Sequence, residues 1–71
     1  MSRWDFMLVV PRDEEDRAHS IMLDFEDRDS TFYFELDHRY EGVVRIFFAS
    51  LFTNIFDVVN VFHTDKLTIL N

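Results

Sequence analysis

The chain has no cysteine, one glycine, one proline and one lysine among its 71 residues. Without cysteine there is no disulfide framework and no thiolate metal site. With Gly42 as the single glycine, there is no glycine-rich loop of the kind that cradles phosphates. So little glycine and proline leaves small room for long irregular connections. Positive charge is scarce as well: seven Lys and Arg face 14 Asp and Glu, a net charge of −7. Such a balance repels nucleic-acid phosphates, so direct DNA or RNA binding is not expected, and it suits a partner protein with a basic surface. The stretch MSRWDFMLVVPRDEED lacks a signal peptide's layout, because its short apolar run leads into charge instead of a small-residue cleavage site. The expected location is the cytoplasm.

Apolar and aromatic residues are abundant. Aromatics make up 17% of the chain, too many for a disordered tail. The length implies one domain over residues 1–71, with a core of modest size.

The densest apolar stretch is 42–62, GVVRIFFASLFTNIFDVVNVF, where 14 of 21 residues are apolar. At 100° per residue, Val44, Phe47, Phe48, Leu51, Phe52, Ile55, Val58, Val59 and Phe62 share one sector roughly 140° wide, as an amphipathic helix requires. Arg45, Ser50, Thr53, Asn54, Asp57 and Asn60 lie opposite. This predicts a long helix over about 40–54, capped by Asp37 with Glu41 near its positive end, and extending to 62 as a further option. The β-branched run IFDVVNVF also suits a strand, so residues 55–62 stay open between helix and strand. The stretch has the length of a membrane span, but Arg45 and Asp57 inside it argue against one.

Residues 4–10 alternate, with Trp4, Phe6, Leu8 and Val10 on one side, and read as a strand that Pro11 ends. The charged run RDEEDRA at 12–18 reads as a solvated connection, with one helical turn as the alternative. Residues 19–26 and 31–37 then read as a hairpin over 19–37. With its turn at 27–30, Phe25 faces Phe32, Leu23 faces Phe34, and Ile21 faces Leu36 on the inward side. Residues 66–70, KLTIL, suit a short edge strand. The expected fold is α+β: a small antiparallel sheet with one long amphipathic helix packed on one face.

Motifs for chemistry are sparse. Glu35 and Asp37, two apart on one strand, place their Cβ atoms roughly 6.6 Å from each other, and paired carboxylates can act as acid and base. An open sheet face has nothing to raise one pKa, so no catalysis is expected there. His19, His38 and His63 form no recognised ligand spacing, and neither metal nor cofactor is expected. Ser20, Ser30 and Ser50 lack a nucleophile motif.

The hairpin register places Met22, Asp24, Glu26, Tyr33, Glu35 and Asp37 together on the outward sheet face. An apolar and aromatic centre with a charged rim is how protein interfaces are built. Ile46, Phe56, Val43 and Val61 fall outside the helical core sector, which suggests a homodimer. No family motif is present. In size, charge and the expected acidic face, the chain resembles the small acidic inhibitors of viruses and mobile elements, some of which imitate nucleic acid. The expected function is a small acidic protein-binding module and inhibitor that docks on a basic surface or nucleic-acid-binding groove. The alternatives are a structural or regulatory subunit that acts through homo-oligomerisation, or a membrane-associated small protein.

Overall fold

The computed structural model describes residues 3–71. Its elements run β1 (Phe6–Pro11), α1 (Glu15–Arg28), β2 (Tyr33–Asp37), β3 (Val43–Ala49) and α2 (Ile55–Thr64), with a 3-10 turn, Arg12–Glu14, leading directly into α1. The fold is α+β, a small antiparallel sheet with both helices on one face.

The sheet is organised by β3. Its sequence VVRIFFA is mostly β-branched or aromatic, which favours a pleated backbone. It takes the central place, with β1 and β2 antiparallel on either side, in the order β1-β3-β2. Leu8, Ile46 and Leu36 form one cross-strand row, and Phe6, Phe48 and Phe34 another. The even-numbered strand residues therefore face one side. β1, α1 and β2 form a split β-α-β unit, in which β3 separates two parallel strands.

The helices cover that side. α1 buries Ala18, Ile21, Met22 and Phe25, spaced as one helical face requires. Glu15 and Asp16 in its first turn and Arg28 in its last complement the helix dipole. α2 starts with a capping box: the Asn54 side chain accepts from the Asp57 N–H, and the Asp57 side chain accepts from the Asn54 N–H. It buries Val58 and Phe62. Its end is closed by Lys66 in the left-handed region (φ 60°), with the Leu67 N–H donating to the Phe62 carbonyl at 2.9 Å. Gly42 (φ 79°) serves the connection between β2 and β3, where only glycine turns the chain this way without strain.

Several expectations are corrected. Residues 19–37 are not a hairpin, since 15–28 is α1 and only 33–37 is a strand. The spacing 18, 21, 22, 25 is helical, while 21, 23, 25 alternates, so both templates fit. The helix prevails because it puts Met22 fully inside and leaves Leu23 exposed. The run at 12–18 is for the most part the entry to this helix, not a solvated loop. Residues 40–54 are not helical either: they hold β3 and the loop after it, and Asp37 caps no helix. Ile46, expected on the polar side, is fully buried, whereas Leu51 and Phe52, expected in the core, are 82% and 77% exposed. Residues 55–62 are helix, which resolves the open alternative. The strand expected at 4–10 is present as β1, and Pro11 is its last residue.

Residues 66–70 do not form a strand, but the chain there runs beside β1. The Leu70 N–H donates to the Val9 carbonyl at 2.8 Å. The Asn71 side chain accepts from the Val9 N–H and donates to the Met7 carbonyl, both at 2.9 Å. These contacts occupy the outer edge of β1. No helix among the described residues is long and apolar enough to cross a membrane.

Candidate functional site

Alternation along three strands leaves the second face of the sheet to the odd-numbered residues. Glu35, Phe47 and Met7 form one row there, and Asp37, Arg45 and Val9 the next. Both helices lie on the other side, with α1 and α2 packed on Leu8, Val10, Val44, Ile46 and Phe48.

Aromatic rings and arginines gather on this open face. The Trp4 ring lies 5.4 Å from Tyr33 and 6.0 Å from Phe47, centroid to centroid. The Arg3 guanidinium sits 4.7 Å above Trp4. The Arg45 guanidinium sits 4.7 Å from the Tyr40 ring and 5.0 Å from Phe47, a favourable placement over the negative faces of the rings. The Tyr33 hydroxyl donates to the Arg3 carbonyl at 2.8 Å. A recess of about 170 Å³ is lined by Trp4, Asp5, Phe6, Met7 and Phe47.

The carboxylates on this face are engaged by arginines. Asp37 receives Arg45 at 2.6 Å and Arg39 at 2.9 Å. Hydrogen bonds from Arg39 and then Arg45 hold its pKa down to about 2, and Asp37 in turn raises that of Arg39. Asp37 is thus fixed as a carboxylate and is no proton donor near neutral pH. Glu35 stands 3.9 Å from Arg3. Among the described residues, no three of His, Asp and Glu stand close enough to share a metal ion.

The residues singled out in the sequence divide between two layers. Tyr33, Glu35 and Asp37 lie together on the open face. Asp24 and Glu26 are exposed on α1, in the helical layer behind the sheet. Met22 is 0% exposed beneath α1 and cannot anchor a partner. The single acidic row expected from the hairpin register is therefore not formed. Trp4, Phe47 and Arg45 belong to the face and were missed. Reading 42–62 as a helix put Phe47 in the core and Arg45 on a distant side. Alternation over 4–10 put Trp4 with Phe6, Leu8 and Val10, whereas the strand begins only at Phe6 and Trp4 packs on Tyr33 and Phe47. The alternation Val44, Ile46, Phe48 was the signal available for Phe47 and Arg45.

A second cluster ties the C-terminal end of α1 to the loop after β3. The Asp29 carboxylate accepts from the hydroxyls of Ser50, Thr31 and Thr53. These bonds, that of Ser50 foremost, hold it well below the usual carboxylate range. The chain matches no protein-family model, no curated protein and no solved structure.

Proposed function

We propose that this chain is a small acidic binding module whose ligand is another protein, docked on the open face of its sheet. The observation that carries this reading is the meeting of Trp4, Tyr33 and Phe47 on a face that both helices leave uncovered. Large rigid rings beside arginines are where binding energy concentrates in protein interfaces. The net charge of −7 draws a partner with a basic surface and speeds its approach, while on the face itself the arginines are paired with Glu35 and Asp37 and the rings supply the contact. A partner held here has its own basic surface occupied, which is the physical basis of an inhibitory role in the cytoplasm. Imitation of a nucleic-acid strand is not part of the reading, since Glu35 and Asp37 are engaged by Arg3, Arg39 and Arg45.

The test is a nuclear magnetic resonance titration of the labelled chain with two probes: a basic peptide of alternating arginine and tryptophan, and a single-stranded oligonucleotide. The peptide should shift the signals of Trp4, Tyr33 and Phe47, with binding that weakens as salt rises. Tyr33→Ala should mainly speed its dissociation. Shifts confined to α1, or comparable binding of the oligonucleotide, would refute the reading.

A further inference from the structure

A different surface of the molecule carries a second inference, independent of the open sheet face. Leu51, Phe52 and Phe56 are 82%, 77% and 78% exposed, and they lie within six residues of one another where β3 passes into α2. At about 150–250 Å² for each phenylalanine and less for the leucine, they present roughly 400 Å² of apolar surface. That matches the largest patch on an ordinary monomer, roughly 300–600 Å², which is often a functional surface.

The exposure is not that of a loose loop. The Leu51 N–H donates to the Thr31 hydroxyl, and those of Phe52 and Thr53 donate to the Ser50 hydroxyl. The Asn54 N–H is taken by Asp57 in the capping box. Four successive backbone donors are thus satisfied by side chains, and Ser50, Thr31 and Thr53 are themselves anchored on Asp29. Two large apolar side chains are carried by a turn whose backbone N–H groups are all bonded, so little backbone freedom is lost when they are covered.

Phe52 also lines an open, largely polar cleft of about 630 Å³, together with Phe25, Arg28, Asp57, Asn60 and Val61. Protrusion and cleft share Phe52, which is the layout of a self-complementary surface. A two-fold axis near Phe52 lets the protruding side chains of one copy enter the cleft of the other, and the reverse. Arg28 and Asp57 both line the cleft, so the same axis sets an arginine of one copy near an aspartate of the other. A stable interface takes about 800 Å² from each partner. The three side chains supply about half of that, and with the cleft walls the total approaches the low end for specific interfaces, roughly 600 Å² from each partner.

We infer that the chain forms a symmetric homodimer through Leu51, Phe52, Phe56 and the adjoining cleft. Each copy carries −7, so the copies repel at long range and added salt tightens the dimer. Docking of a basic partner responds to salt in the opposite sense.

The experiment is sedimentation of the whole chain across the micromolar range at low and high salt, for the native chain and for the triple variant Leu51→Ser, Phe52→Ser, Phe56→Ser. The native chain should approach twice its 8.6 kDa mass, more readily at high salt. The variant should stay monomeric, with dissociation constant raised at least tenfold and an unchanged circular dichroism spectrum. Should the triple variant lose its fold, the single variant Phe56→Arg carries the same test. A native chain that is monomeric at every concentration overturns the inference, as does a dimer left intact by the substitutions. Flotation of the monomeric native chain with phosphatidylcholine vesicles, abolished in the variant, also overturns it and assigns the patch to a lipid surface.

Discussion

Phe47 and Phe48 are neighbours in sequence on opposite faces of β3, so truncating each in turn tests the architecture. Phe48 is fully buried, with the rings of Phe6 and Phe32 at 5.4 and 5.7 Å. A buried phenylalanine hides about 200 Å². Losing roughly two thirds of that to alanine removes about 3 kcal/mol at about 25 cal/mol per Å². The cavity left in the middle of the core brings the cost to about 3–5 kcal/mol. A chain of 71 residues at about 0.05–0.15 kcal/mol per residue holds only roughly 4–11 kcal/mol in all. Phe48→Ala should therefore leave the chain at the edge of unfolding at 25 °C. Phe47 is half-buried on the open face, where it touches Trp4 and Arg45, and Phe47→Ala should cost about 1 kcal/mol. Urea unfolding followed by circular dichroism measures both. Losses equal within about 0.5 kcal/mol would place both rings in one environment, as a helix does, and would refute the strand and its register.

Other outcomes follow from single features. Leu51→Ala should change stability by less than about 0.5 kcal/mol, because the side chain is 82% exposed. Asn54→Ala should cost about 1 kcal/mol in urea unfolding by removing the capping box of α2. Lys66→Gly should stabilise the chain by about 0.5–1 kcal/mol, since Lys66 holds a left-handed conformation that glycine takes freely. Asp37→Asn should be less stable than the native chain at pH 6. The folded-state pKa of Asp37 lies at about 2 against an ordinary 3.8. Its stabilisation is therefore complete above that ordinary value and lost as pH falls through about 2, so the gap between the two proteins should close over that window.

The sequence by itself determined the fold class, the strand at the start of the chain and the charge of the surface. These depend on composition and on one clean alternation ended by proline, and both are local. The sequence also placed Tyr33, Glu35 and Asp37 on one face, because alternation within a strand needs no partner to be read.

Only the tertiary structure decided which of two fitting periods each apolar run obeys. In residues 18–25 the apolar positions satisfy both a helical and an alternating template, and in 43–52 they do so again. Burial breaks the tie. α1 wins at 18–25 because a helix buries Met22 with Ile21 and Phe25, whereas a strand would have turned Met22 outward. β3 wins at 43–49 because extension brings Ile46 into the core beside Val44 and Phe48, at the expense of exposing Leu51 and Phe52. These choices moved Asp24 and Glu26 behind the sheet and brought Phe47 and Arg45 onto its open face. Each choice rests on contacts between residues far apart in the chain, such as Phe6 with Phe48 and Phe32 with Phe48, and periodicity within a window of seven residues contains no record of them.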